Sequence, residues 1–211
     1  MAYDLEEQEK LDALRAWWDK YGTLCAVILF AAVLAVAGWR GWRWDQGHEA
    51  GQAMGYFEAL QRAAGRTGDD ALARIRAASE TLRSDYASTG YASRGVLVAA
   101  QALQNRNDLD GAREQLEWLV KNEKGSAMAS LAKLRLAGIL MQQKQYDQAL
   151  AQLENPPDAY AALYADRRGD ILAAQGKKDE AGKAWAEAVK AFGENPAAQI
   201  VQLKIDALNG A

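Results

Sequence analysis

At 211 residues the chain is long enough for one well-buried domain plus a short extra element, and too short for two full domains. A formal net charge of -3, with 25% charged residues and a pI near 5.3, excludes a disordered polyelectrolyte and leaves no basic cluster for neutralising phosphates, so nucleic acid is not an expected partner. The single cysteine, Cys25, excludes an intrachain disulfide and a CxxC metal site, and a domain without thiols is indifferent to redox compartment.

The first predicted element lies at residues 22–39, GTLCAVILFAAVLAVAGW, a run without one charge. As a helix rising about 1.5 Å per residue it spans about 27 Å, enough for a bilayer core. Trp17, Trp18 and Tyr21 precede it, and Trp39, Trp42 and Trp44 end or follow it, where amphipathic rings settle at headgroup level. A buried core helix would show a polar stripe, and this run offers only Thr23 and Cys25. A cleaved signal peptide would have a short basic leader. Ala35-Val36-Ala37 has the small-x-small form of a cleavage site, but the preceding segment carries six acids (Asp4, Glu6, Glu7, Glu9, Asp12, Asp19) against three bases. The expectation is one transmembrane helix in a lipid bilayer, preceded by a tail at residues 1–21. Lys10, Arg15 and Lys20 on one side against Arg40 and Arg43 on the other leave its orientation open.

Residues 45–211 are Ala-rich and helical in period throughout, with the only prolines at Pro156, Pro157 and Pro196 and no strand signal. Turn signals at 65–70, 88–91, 105–110, 122–126, 143–147, 155–158, 176–179 and 193–196 divide them into eight or nine short helices. These pair into repeats. Gly169, Leu172, Ala181, Trp185 and Ala188 fall at tetratricopeptide spacing; Ala137, Leu140, Tyr146, Ala149 and Leu153 repeat the grid, as do Ala100, Leu103, Leu109, Ala112 and Leu116. Small residues are expected where paired helices cross, because only they let two backbones approach, with Trp185 filling the gap to the next helix. The anchors Ala112, Ala149 and Ala181 are 37 and 32 residues apart, so the repeats are degenerate. The last helix, with Val201, Ile205 and Leu208 on one face, reads as the cap that closes a solenoid. Upstream, residues 44–64 extend the membrane helix, residues 70–83 pack back on it, and Gly47, Gly51 and Gly55 suggest a close helix contact. The fold class is all-α, one N-terminal transmembrane helix followed by a tetratricopeptide-like helical solenoid.

Catalytic chemistry finds no footing in this pattern. His48 is the one histidine, beside Glu49, and a metal set needs three or four members. GSAMAS at 125–130 lacks the second glycine and flanking strand of a nucleophile elbow and reads as a helix start. GKKDEA at 176–181 lacks the strand and second glycine of a phosphate-binding loop and reads as a turn inside a repeat. No enzyme activity, cofactor or metal is expected. What remains is surface: the first helices of the pairs place Leu97, Gln101, Gln104, Leu131, Leu134, Met141, Asp166 and Asp170 on the concave, partner-binding side. That groove is expected to be apolar with an acidic end and to lack a Lys/Arg clamp, which favours extended apolar or basic segments as ligands. Burial of these residues under the capping helix is the competing expectation.

An acidic tail, one span ending in GWRGWRW, degenerate repeats carrying AALYADRRGDILAAQGKKDEAGKAWAEAV, and a closing LKIDALN together resemble the YfgM family of bacterial inner-membrane proteins, most specifically over residues 165–188 and 203–209. The resemblance implies a Gram-negative inner-membrane protein, single-pass, with a cytoplasmic tail and a periplasmic repeat domain at residues 45–211. It implies association with the SecYEG translocon, pairing with the membrane-anchored periplasmic chaperone PpiD, help to exported polypeptides, and no catalytic residues. A scaffold for another envelope complex and a regulator signalling through the tail remain the alternatives.

Overall fold

The computed structural model describes residues 2–210, without the side chains of residues 2–8, 45 and 209. Met1 and Ala211, the outer limits of the expected tail and repeat domain, therefore lie outside the described residues, as do the side chains of Asp4, Glu6, Glu7, Asp45 and Asn209. The elements are α1 (Ala2–Ala64), α2 (Asp69–Ser84), α3 (Gly90–Gln104), α4 (Leu109–Asn122), α5 (Ala127–Gln142), α6 (Tyr146–Ala151), a 3-10 turn (Asp158–Tyr160), α7 (Ala161–Ala174), α8 (Lys178–Phe192) and α9 (Ala197–Asn209), with no strand among the described residues. The chain divides into two compact units, Met1–Glu49 and Ala50–Ala211.

In the first unit the apolar run presents its side chains outward on every side. Leu29 is 71% exposed and Phe30 65%, and 6% of the apolar window is buried. A core helix of a soluble protein buries such a run, so this exposure marks a candidate membrane span. The flanking aromatics hold cations at both ends: Lys20 lies 5.3 Å from the Tyr21 ring and the Arg43 guanidinium 4.6 Å from the Trp39 ring.

In the second unit the helices pair α3 with α4, α5 with α6 and α7 with α8, and α9 packs on α8. Each pair turns through the same backbone device. Asn107, Lys144 and Gly176 take positive φ (60°, 60° and 78°), and the next amides, of Asp108, Gln145 and Lys177, donate back to the carbonyls of Leu103, Leu140 and Leu172 at 2.9, 2.8 and 3.0 Å. These are Schellman closures, which satisfy carbonyls that a helix end leaves orphaned. The three turns are themselves 37 and 32 residues apart, the same spacing as the small anchors. The shorter second interval coincides with a truncated helix: α6 has 6 residues where α4 has 14, stopping at Ala151, and Asn155 at φ 50° followed by Pro156-Pro157 keeps the chain from resuming it.

Small residues let the helices of a pair close on one another. Ala100, Ala137 and Gly169 are buried on the first helices, and Ala112, Ala149 and Ala181 are fully buried on the second. A Cβ on Gly169 would fall onto the indole of Trp185, so glycine is required there. Trp185 thus turns back onto the first helix of its own pair, donating from Nε1 to Asp170 Oδ1 at 3.2 Å, and also joins Val201 in a shared core. α9 closes that core with Val201 buried and Ile205 and Leu208 half-buried against it, as a solenoid cap must. The helix start read at GSAMAS is visible as well: Ser126 caps α5, its Oγ accepting from the Ala129 amide at 3.0 Å.

Residues 50–64 of α1 supply the first layer. Ala53, Leu60 and Ala63 share a core with Ile75, Ala78 and Leu82 of α2, and Gly95 of α3 is crowded so tightly that a Cβ would stand 2.5 Å from Leu82. Arg106 closes the end of α1, its guanidinium donating to the carbonyls of Ala63, Ala64 and Arg66. The expectation about Gly47, Gly51 and Gly55 is corrected: a Cβ at any of them meets nothing within 4 Å, so glycine is not there to admit a helix of this chain.

Two substitutions separate these roles. Lys144→Gly relieves a left-handed lysine and should stabilise the protein by up to about 1 kcal/mol, whereas Gly169→Ala should cost about 1–3 kcal/mol by overpacking against Trp185. Urea unfolding of the full chain checks both.

Candidate functional site

The first helices α3, α5 and α7 lie side by side, α3 against α5 and α5 against α7, and form one continuous face. Helical spacing places Arg94, Val98, Gln101 and Asn105 on the outer stripe of α3, Leu131, Arg135, Gly138 and Gln142 on that of α5, and Leu163, Arg167 and Asp170 on that of α7. A cleft of 340 Å³ opens between α3, α5 and the end of α1, with an apolar floor at Leu97, Val98 and Ala102 and polar walls at Gln101, Asn105 and Arg135.

The eight residues expected on this face do not all meet. Leu97 and Gln101 stand together in the cleft. Leu134 and Met141 are half-buried and pack inward against the core, and Leu131 and Gln104 are half-buried without lining the cleft. Asp166 and Asp170 form a separate cluster on α7. Lys204 of α9 reaches both, its Nζ donating to each Oδ1 at 2.6 Å, and Nζ stands 5.8 Å from the Trp185 ring. The cap therefore covers the acidic end and leaves the cleft at Leu97 open.

Burial alone would lower the Lys204 pKa, but its hydrogen bonds and charge contacts with the two carboxylates outweigh that and hold it above the ordinary lysine value. The α5 to α7 junction is anchored by two phenols, Tyr160 and Tyr164, which donate to the carbonyls of Ala127 at 3.1 Å and Ser130 at 2.7 Å. Burial pushes the Tyr164 hydroxyl up, so it stays a donor through the physiological range.

Two residues escaped the sequence reading, Arg135 and Arg167. Arg135 is exposed and donates from Nη1 to the Leu97 carbonyl at a long 3.4 Å. Arg167 lies over α5, where a Cβ on Gly138 would be 3.6 Å from its Nη1; that Nη1 is 3.9 Å from Asp170 Oδ2, and its buried Nε has no hydrogen-bond partner. Val98, Arg135 and Arg167 occupy one repeat position, 37 and 32 residues apart, so the spacing already known from the small anchors would have aligned them. The face expected to lack a Lys/Arg clamp carries three arginines, Arg94, Arg135 and Arg167.

His48 stacks on Trp44 at 5.6 Å, and among the described residues no three of His, Cys, Asp and Glu stand together as a metal set.

The model of the tetratricopeptide repeat-like domain family matches residues 15–210. The chain is 32% identical to the ancillary SecYEG translocon subunit of Neisseria gonorrhoeae over 211 residues, covering 99% of this chain and 100% of that protein. It is 29% identical to the protein of the same name from Escherichia coli over 204 residues, 96% of this chain and 97% of that one. A third bearer of the name, from Haemophilus influenzae, is 26% identical over 209 residues.

Lys204→Gln should lower stability at neutral pH by about 1 kcal/mol, the scale of a partly exposed ion pair. Because the folded-state pKa of Lys204 is raised, its contribution is fully present below the ordinary value of 10.5 and is lost as pH rises through the higher folded value. The gap between the parent and Lys204→Gln should therefore close in strongly alkaline buffer, as read by urea midpoints across a pH series.

Proposed function

This chain belongs to the YfgM family of tetratricopeptide repeat-like proteins, and on that premise we propose that it is a non-catalytic ancillary subunit of the SecYEG translocon. The observation that carries the reading is a single apolar helix, its side chains exposed on all sides, on the same chain as a repeat domain whose first-helix face holds an open cleft. A repeat array of stacked helix pairs acts through the extended surface that its helices present.

In this reading residues 1–21 are a cytoplasmic tail, residues 22–39 cross the inner membrane once, and residues 45–211 form a periplasmic repeat domain. The face that includes Leu97, Gln101 and Leu131 meets a membrane-anchored periplasmic chaperone of the PpiD type and, through it or directly, exported polypeptides. Confinement to the translocon's own membrane raises the effective concentration of each partner, so contacts too weak to hold in solution suffice.

Photo-crosslinking in cells tests the assignment, with probes at Val27 and Leu34 in the span and at Leu97 and Leu131 on the repeat face. Adducts to translocon subunits from the span and to a periplasmic chaperone or nascent chains from the repeat face are expected. Adducts confined to one unrelated envelope complex would overturn the proposal.

A further inference from the structure

Charge on the first-helix face differs in sign from that of the chain. The whole protein carries a net charge of -3. On this face the two aspartates are held by Lys204, while Arg94, Arg135 and Arg167 lie along the successive first helices, and among the described residues no carboxylate bonds to Arg94 or Arg135. An arginine offers five N–H donors in a planar fork. Arg135 spends one on a long bond to a backbone carbonyl, and Arg167 has only the 3.9 Å ion pair with Asp170 and a buried, unpartnered Nε. Several arginines elsewhere in the repeat domain are tied down: Arg83 bonds Glu80 and Glu114, Arg76 bonds Asp108 at 2.7 Å, and Arg113 bonds Glu117 at 2.6 Å and Gln145 at 2.9 Å. The open donors of Arg135 thus stand in the wall of the 340 Å³ cleft, beside its apolar floor of Leu97, Val98 and Ala102, with Arg167 on the neighbouring first helix.

We propose that this cleft takes an extended partner segment in which a carboxylate stands next to apolar side chains, the carboxylate seated on Arg135 with Arg167 as the neighbouring charge. The step rests on the reading that the first-helix face is the partner surface; it keeps the apolar part of the ligand class expected from sequence, extended apolar or basic segments, and replaces the basic part, which followed from an acidic end and the expected lack of a Lys/Arg clamp.

Each part of the ligand meets a matching part of the site. Gln101 Nε2 donates to Asn105 Oδ1 at 2.9 Å, which leaves the Asn105 amide N–H groups and the Gln101 oxygen, on two residues that line the cleft, as donor and acceptor for a peptide backbone. Leu97, half-buried at the cleft floor, offers contact to an apolar side chain without unfolding anything. The guanidinium fork of Arg135 fits a carboxylate in two parallel hydrogen bonds, a geometry that lysine does not reproduce. On the neighbouring helix Gly138 has no side chain, and Arg167 uses that space to lie across α5, about one helical turn from the Arg135 backbone position. A segment laid over α5 therefore passes both guanidinium groups.

The test uses the full chain in phosphatidylcholine nanodiscs and three rhodamine-labelled peptides of alternating leucine and serine, carrying two glutamates, two glutamines or two lysines. Fluorescence anisotropy should show the glutamate peptide binding at least about fivefold tighter than the glutamine peptide, with the lysine peptide weakest. Arg135→Gln should abolish the preference and Arg135→Lys should retain part of it, while Arg113→Gln, on α4, leaves it unchanged. All three variants are compared by thermal unfolding, so a folding defect is separated from a lost site. Equal affinities for the three peptides, a lysine preference, or an unaltered glutamate preference in Arg135→Gln would overturn the proposal. Absence of translocon subunits in crosslinking of the parent chain would instead overturn the translocon assignment, leaving the peptide preference to be judged alone.

Discussion

The repeat domain depends on how closely paired helices approach. A helix pair that meets through Gly169 and Ala181, or through Ala137 and Ala149, brings its backbones near enough for the long apolar side chains beside them to reach the next pair. Trp185, Leu116 and Leu153 stand at the equivalent position of each repeat and are buried. The buried residues form two clusters, one running from α1 to α7 and one shared by α7, α8 and α9, with Leu150 packed against both, and the second needs a closing helix. α9 provides it, and the same helix delivers Lys204 to the carboxylates of α7. Packing and surface charge are therefore set by one arrangement.

Most of the architecture was legible in the sequence because its signals are local. Proline pairs, glycine and asparagine turns, and alanine at repeat spacing each act within a few residues. The left-handed turn positions were only partly legible. Gly176 announces itself, but Asn107 and Lys144 hold the same conformation, and a lysine gives no such sign. The truncation of α6 was hidden too, since residues 146–153 carry the apolar pattern of a longer helix and only the following prolines cut it short. Gly47, Gly51 and Gly55 misled because glycine spacing reports the space a helix could give to a neighbour, without saying whether a neighbour exists.

The candidate site was less legible for a physical reason. Whether Asp166 and Asp170 are free depends on a lysine 38 and 34 residues away, and nothing in a linear reading pairs them. Arg135 and Arg167 were within reach of the repeat spacing, but that spacing was applied to apolar and acidic positions alone. Placed on the structure, the same eight residues separate into an open cleft at Leu97 and Gln101, inward-facing Leu134 and Met141, and a covered pair of aspartates. The membrane run, by contrast, was plain in sequence, and its exposure in the folded chain agrees with an apolar surface meant for lipid.

The proposed topology puts the repeat domain on the far side of the membrane that residues 22–39 are a candidate to span. With Cys25→Ser as background, single cysteines at Lys10 and at Lys177, both exposed, would be treated in intact cells with a membrane-impermeant maleimide. Labelling at position 177 with none at position 10 until the cells are lysed is the expected result. Labelling at position 10 alone would place the repeat domain in the cytoplasm and contradict the account.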